Sequence, residues 1–210
     1  MTTSAEAGTR VEFLYDFGSP NAYLSHRAIP VLQERTGVSV TYVPILLGGV
    51  FKLTGNVSPA VSLQGIRNKG EYQALEISRF LAEHGISDFR MNPHFPVNTL
   101  QIMRGALVAE RKGFAARYID VVFHHMWCEP KKMDDPEVIR AALIESGIDA
   151  EAILAGIQDP EIKAALVSNT EAVVERGVFG SPSFFVEDEL YFGKDRLPDV
   201  ERAIRRIVGR

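Results

Sequence analysis

The fold of this 210-residue chain is decided by one stretch near its beginning, VEFLYDFGSP at residues 11–20. Residues 11–17 form a β-prone run that predicts a short strand, and Gly18-Ser19-Pro20 ends it. The apolar spacing of residues 23–34 then predicts a helix, which Gly37 closes. A strand is therefore followed at once by a helix, with Ser19 at their junction.

A second strand is predicted at residues 38–43, directly after this helix. The opening unit is thus β-α-β, and its two strands should be parallel and joined by a right-handed crossover. Pro30 lies inside the helix. Because proline lacks the backbone N–H, Pro30 predicts a kink or a local break at that point.

The middle of the chain has a different pattern, since residues 58–176 show helical segments and no convincing strand. Asp135-Pro136-Glu137 and Asp159-Pro160-Glu161 each combine an N-cap residue, a proline and an acidic residue, as is typical of helix starts. Strands return at 183–186 and 190–192, and a closing helix is predicted at 198–208. The late hairpin most simply rejoins the first sheet.

Composition narrows the class of protein. Apolar residues make up 46% of the chain, which is ample for the core of one domain or of a domain with an insertion, and no stretch predicts a membrane span. Residues 1–10 predict a loose leader without a signal peptide. A net charge of −4 disfavours nucleic acid as a partner, and the single cysteine, Cys128, excludes an internal disulfide and favours the reducing cytoplasm.

Two places could carry chemistry. Ser19 lies at a predicted helix N-terminus, where free backbone N–H groups favour an anion or a thiolate, although a serine there can equally be only an N-cap. The second is FGSPS at residues 179–183, where Pro182 precedes a strand. This segment is either a simple turn or a site with a cis peptide bond before Pro182.

Four segments carry a family resemblance: YDFGSPNAY (15–23), LGGVFKLTGN (47–56), GVFGSP (177–182) and FGKDRL (192–197). In this order they resemble the 2-hydroxychromene-2-carboxylate isomerases, close relatives of kappa-class glutathione transferases in the DsbA-like branch of the thioredoxin fold. The resemblance covers residues 11–208. It implies an α/β thioredoxin-like fold with an all-helical insertion at 49–176, between two halves at 11–48 and 177–210.

The resemblance also implies a glutathione site. Ser19-Pro20-Asn21-Ala22 stands where redox relatives have C-x-x-C, so the chain cannot run dithiol–disulfide exchange, which needs a thiolate. The role implied for Ser19 is a hydroxyl hydrogen bond to the glutathione sulfur, whose pKa the helix N-terminus lowers. Asn56 is expected to contact glutathione.

Three further groups complete that implied site. The backbone of Ser181, before a cis Pro182, is expected to pair with the tripeptide as a short added strand. Lys194 and Asp195 match the Gly-x-Asp-Arg stretch of the family, whose aspartate binds the γ-glutamyl amino group at a helix start.

Lys52, Phe51 and Asn98 are the candidate substrate-binding residues. Lys52 has the apolar neighbours Val50, Phe51 and Leu53, which suggest an apolar setting where it could meet a substrate carboxylate. A solvated loop lysine is an equal alternative. Asn98 lies in PHFPVNT at residues 93–99, which resembles a substrate-side segment of the family, but it could also cap the next helix.

Two histidines and the cysteine of the middle region are further candidates for metal binding or nucleophilic chemistry. His124 and His125 are adjacent on a predicted helix, so they should point about 100° apart and fail to chelate one metal, and no metal site is predicted. His125 and Cys128 are spaced for contact and could form a nucleophile pair, or the thiol could simply be buried. Trp127 either lines a pocket or fills the core.

The resemblance implies a glutathione-dependent isomerase that acts on 2-hydroxychromene-2-carboxylate or a related small aromatic carboxylate. One alternative is a kappa-type transferase that conjugates electrophiles to glutathione. Another is a DsbA-like binding module without chemistry. A homodimer is expected from the resemblance, and neither nucleic acid nor a membrane is an expected partner.

Overall fold

A computed structural model describes residues 9–209, so the predicted leader lies, up to residue 8, outside the described residues. The described strands are β1 (Val11–Tyr15), β2 (Val40–Pro44), β3 (Ser183–Val186) and β4 (Glu189–Phe192). The described helices are α1 (Pro20–Thr36), α2 (Leu47–Thr54), α3 (Pro59–Ser62), α4 (Lys69–Glu83), α5 (Leu100–Arg111), α6 (Ala115–Trp127), α7 (Pro136–Glu145), α8 (Ala150–Gly156), α9 (Pro160–Glu175) and α10 (Leu197–Val208), with a 3-10 turn at Lys194–Arg196.

The four strands form one mixed sheet in the order β2-β1-β3-β4. β1 pairs with β2 in parallel, and β3 pairs antiparallel with both β1 and β4. The prediction of a parallel β-α-β unit that a late hairpin rejoins is therefore confirmed. This strand order and these pairings form a thioredoxin-like arrangement. The inserted helices lie between β2 and β3 in the chain.

α1 begins and ends where its sequence signals indicate. Ser19 is the N-cap, Pro20 is the first helical residue, and Gly37 ends the helix with a φ of 69°, a left-handed conformation that favours glycine. The helix runs without interruption across Pro30, so the predicted local break is wrong. Buried Ile29 and Leu32 on either side hold this turn against the core, which compensates for the hydrogen bond that proline removes.

α2 is a helix that sequence patterns did not predict. Residues 47–54 contain two glycines, which disfavour a helix, and no helix is predicted there from the sequence. Tertiary packing makes the helix: Val50 is fully buried, and a Cβ at Gly49 would lie 3.1 Å from Thr170 Cγ2 of α9. The expected insertion boundary at residue 49 therefore falls inside α2, and the division into parts at 49 and 177 stays a prediction.

The two faces of the sheet are covered unequally. Phe13 and Tyr15 of β1 belong to a large core cluster that continues from the sheet into the middle helices, whereas Leu14 faces a small cluster with Ile45 and Phe185. This alternation is the period of two expected of a strand. β1 is thus buried on both faces, and its C-terminal end, next to Ser19, is held rigidly. No helix within residues 9–209 is both long enough and apolar enough to cross a bilayer.

Candidate functional site

Ser19 lies at the junction of β1 and α1, as predicted, and it does more than cap the helix. Its Oγ accepts a hydrogen bond from Ala22 N at 3.2 Å and donates one to the carbonyl oxygen of Ser181 at 3.0 Å. Only 5% of the residue is exposed. The cap fixes the hydroxyl at the positive end of α1, and the bond to Ser181 joins the two segments that sequence analysis had singled out separately.

The segment of Ser181 and Pro182 is fixed to the end of β1. The Ser181–Pro182 peptide bond is cis, which confirms the prediction. The Ser181 hydroxyl donates to Leu14 O at 3.3 Å and accepts from Asp16 N at 3.2 Å. Its side chain therefore continues the β1–β3 contact beyond the last strand pair. A second cis bond, Phe95–Pro96, had no counterpart in the predictions.

Asp16 is the residue of this site to which the sequence analysis gave no role. It is 1% exposed, and its carboxylate accepts hydrogen bonds from Gly18 N at 2.8 Å and from Leu47 N at 2.7 Å. Burial raises the pKa of Asp16, while these bonds and one from the Thr99 side chain oppose the rise. One signal in the sequence could have indicated a role for Asp16. It is an acidic residue at the end of an apolar strand, shortly before Gly-Ser-Pro.

Asn98 lies beside this junction but not inside it. Its neighbour Thr99 approaches α1 so closely that a Cβ on Gly18 would lie 3.0 Å from Thr99 Cγ2, which explains the glycine. Asn98 itself is exposed, and its Oδ1 accepts from Leu100 N at 3.1 Å, a contact at the start of α5. The structure therefore supports the capping alternative and also leaves the Asn98 side chain accessible next to the Ser19 segment.

α2 carries Phe51 and Lys52, with Asn56 just beyond its end. The Asn56 side chain donates to Phe179 O at 2.8 Å, so it bridges the end of α2 to the segment that contains Ser181. Phe51 is half-buried and Lys52 is exposed, with no hydrogen bond or ion pair to its ammonium among the residues described. The predicted apolar setting is wrong, because Leu53 is exposed as well.

Lys194 and Asp195 lie at the start of the closing helix, as predicted for Asp195. Lys194 is 5% exposed, with its ammonium 5.1 Å from the ring centroid of Phe80 and paired with the Asp195 carboxylate. The Asp195 side chain is 61% exposed. A hydrogen bond of 2.9 Å from Gly193 N to Pro182 O ties this turn to the cis proline. Lys194 thus orients Asp195, and the carboxylate stays available.

The nucleophile pair of Cys128 and His125 is not formed. Cys128 Sγ lies 3.1 Å from the Tyr23 hydroxyl, whereas His125 Nε2 bonds to Ser146 Oγ. Burial raises the pKa of the Cys128 thiol, which disfavours the reactive thiolate. Trp127 is fully buried and donates to Phe17 O at 2.8 Å, so it fills the core under the site.

The expectation that His124 and His125 share no metal stays a prediction, although their ligand atoms lie close together. One ligand atom of each, together with one of Glu129, lie within 4.8 Å of one another. His124 and His125 lie in the last turn of α6, and Glu129 follows its end: the backbone N–H groups of Cys128 and Glu129 both bond to His124 O, which turns the chain back toward the histidines.

Comparison with known proteins agrees with this geometry. A family model described as a DSBA-like thioredoxin domain matches residues 10–205. The chain is 29% identical to a 2-hydroxychromene-2-carboxylate isomerase of Pseudomonas putida, over 94% of this chain and 95% of the relative. It is 26% identical to the human glutathione S-transferase kappa 1, over 89% and 87% of the two chains.

A solved structure of a 2-hydroxychromene-2-carboxylate isomerase superposes with a TM-score of 0.80 at 28% identity, over 94% of this chain and 95% of that one. A probable DsbA oxidoreductase of Streptomyces coelicolor, at 17% identity and a TM-score of 0.72, shares the fold. The sheet order, the cis proline beside Ser19 and the match over residues 10–205 all agree. The chain belongs to the DSBA-like thioredoxin domain family.

Proposed function

We propose that this protein is a glutathione-dependent isomerase that converts 2-hydroxychromene-2-carboxylate, or a related aromatic acid, to trans-o-hydroxybenzylidenepyruvate. The observation that carries the proposal is the contact of 3.0 Å between Ser19 Oγ and Ser181 O, beside the cis Pro182 and at the N-terminus of α1. The names of the relatives that match nearly the whole chain support both the isomerase and the glutathione.

The residues of the site fit a thiol-bearing peptide. In the described part of the chain, the backbone N–H groups of Asn21 and Ser181 have no hydrogen-bond partner. The N–H of Asn21 lies in the first turn of α1, where a thiolate is favoured, and that of Ser181 is available to an extended peptide. The single cysteine, Cys128, lies elsewhere and bonds to Tyr23, so the thiol must come from a cofactor.

Glutathione, when bound, would supply a thiolate that adds reversibly to the conjugated carbon of the ring-opened substrate, so that the former double bond can rotate before elimination returns the thiol. With glutathione bound, the Ser19 hydroxyl and the dipole of α1 would both stabilise the thiolate. Asp16 holds the Gly18 N–H and so fixes the position of Ser19. Catalysis arises from the lowered thiol pKa and from fixed geometry.

On the substrate side, Lys52 has an exposed ammonium without a partner in the described residues, which suits a carboxylate. To half-buried Phe51 and exposed Asn98 we assign the apolar surface and the amide that meet the substrate. Asn56, Asp195 and the buried Lys194 that orients it form the glutathione side. We further propose a cytoplasmic homodimer with no nucleic-acid or membrane partner.

A spectrophotometric assay on 2-hydroxychromene-2-carboxylate, with and without glutathione, tests the proposal. We expect conversion that requires glutathione and leaves its concentration unchanged over many turnovers. Consumption of glutathione one for one with substrate would instead favour a kappa-type transferase, the class of the human relative. Binding of unfolded peptide without glutathione, and no conversion, would leave only the binding module.

A further inference from the structure

A cluster of three side chains at the end of α6 lies outside the proposed glutathione site. His124, His125 and Glu129 each place one ligand atom within 4.8 Å of the others. His124 and Glu129 are exposed, with side-chain exposures of 45% and 61%, and His124 Nε2 lies 3.5 Å from Glu129 Oε2. Exposed side chains can close the remaining gap, because zinc–ligand bonds of about 2.0–2.2 Å need donor atoms roughly 3.4 Å apart.

The hydrogen bonds around His125 define its tautomer. Ser146 Oγ donates its proton to Ala142 O at 2.9 Å, so toward His125 Nε2, also at 2.9 Å, it can only accept. Nε2 therefore carries the proton, and Nδ1 has the lone pair. Nδ1 is buried and has no hydrogen-bond partner, and His125 is only 2% exposed.

The buried Nδ1 of His125 without a partner destabilises the folded chain unless a ligand binds it. A buried nitrogen without a partner loses its hydrogen bond to water on folding, and such groups are rare. A histidine ligand commonly has its other ring nitrogen hydrogen-bonded, as His125 has through Ser146, and this fixes the ring for coordination. The C-terminus of α6 also favours a cation through the partial negative charge of the helix dipole.

The charges nearby do not oppose a cation. Lys131 is the cation whose field reaches His125, and its ammonium is paired with the Glu145 carboxylate. Glu129 adds one negative charge directly at the cluster. Two imidazoles and one carboxylate form a donor set that zinc accepts, with a fourth position left for water.

We propose that His124, His125 and Glu129 form a binding site for a divalent cation of the zinc class, with His125 Nδ1 as the buried ligand. The site joins the end of α6 to the turn that follows, and Ser146 on the C-cap of α7 orients His125. Since the cation binds the folded site, it raises the free energy of unfolding with the logarithm of its concentration once that concentration exceeds the Kd.

Calorimetric titration of the tag-free full chain with zinc chloride tests the site. We expect one zinc ion per chain, and His124→Ala, which changes an exposed residue, should weaken binding at least tenfold. Ser146→Ala should weaken it about 10-fold to 100-fold, because the support of the buried ligand is lost. Neither variant removes a side chain that fills the core.

His94→Ala and Cys128→Ser are the matched controls, since each removes a potential zinc ligand outside the cluster, and both should bind as the parent chain does. Cobalt substitution should give the absorption of a tetrahedral site without a thiolate band. The proposal is overturned if the parent chain binds no zinc, if His124→Ala binds as tightly as the parent, or if Ser146→Ala changes nothing.

Discussion

Two regions of the proposed glutathione site differ in how their side chains are held. The inner site (Asp16, Ser19, Ser181 and Pro182) is buried or half-buried and joined by hydrogen bonds to β1 and to itself. The outer rim (Lys52, Asn56, Asn98 and Asp195) is exposed on three different segments. In the proposed mechanism the inner site therefore positions the thiol, because its geometry is fixed before binding, whereas the exposed rim contacts the rest of glutathione and the substrate.

Removal of the Ser19 hydroxyl from the inner site should have the largest effect, a fall in kcat/KM. Ser19→Ala removes the hydroxyl that stabilises the thiolate in the proposed mechanism, and we expect kcat/KM to fall about 100-fold, or ~2.7 kcal/mol. Ser25→Ala on the same helix is the matched control, because its buried hydroxyl has no hydrogen-bond partner, so its loss should leave the rate unchanged and should not lower stability. Equal activity of Ser19→Ala and the parent would remove Ser19 from the mechanism.

The next largest effect is a loss of stability expected at Gly18, which Thr99 approaches closely. In Gly18→Ala the new methyl group meets Thr99 Cγ2 at 3.0 Å, so the junction must shift and unfolding should become easier by about 1–3 kcal/mol. Urea denaturation measures the change. Gly70→Ala, where nothing lies within 4 Å of the added Cβ, should be neutral or stabilising. A Gly18→Ala variant as stable as the parent would show that the inner site is not rigid.

Substitutions in the outer rim should have weaker effects, and these should change KM rather than kcat. Lys52→Ala removes an exposed ammonium, and because an exposed ion pair contributes up to about 1 kcal/mol, KM for the carboxylate substrate should rise about fivefold at most. Steady-state kinetics should show an unchanged kcat, and Lys69→Ala, another exposed lysine, should change neither parameter. A fall in kcat with constant KM would move Lys52 from the rim to the chemistry.

The smallest expected effect is a pH dependence of the free energy of unfolding, which tests the burial of Asp16. Its pKa is raised in the folded state, so its contribution to stability is fully present below its unfolded pKa of about 3.9 and is lost as pH rises through the folded pKa. The free energy of unfolding of the parent should therefore decline relative to Asp16→Asn between pH 4 and pH 7. Parallel stability curves for the two proteins would contradict a raised pKa.

The sequence was informative wherever one segment carried its own signal. Asp135 and Asp159 act as the N-caps that their Asp-Pro-Glu patterns predicted, and Gly37 ends α1 in the left-handed conformation that favours glycine. These features depend on side chains within a few residues of the backbone groups that they satisfy. Local patterns failed at α2, where packing against α9 overcomes the poor helix propensity of Gly48 and Gly49.

The sequence by itself determined the order of strands and helices, the junction at Ser19 and the family resemblance, because strand alternation, helix caps and short motifs are properties of neighbouring residues. Only the tertiary structure decided that Ser19 meets Ser181 across 162 positions, that Asp16 is buried, and that His124, His125 and Glu129 converge. Such contacts depend on how the strands pair and where the helices end, which no local pattern of residues specifies.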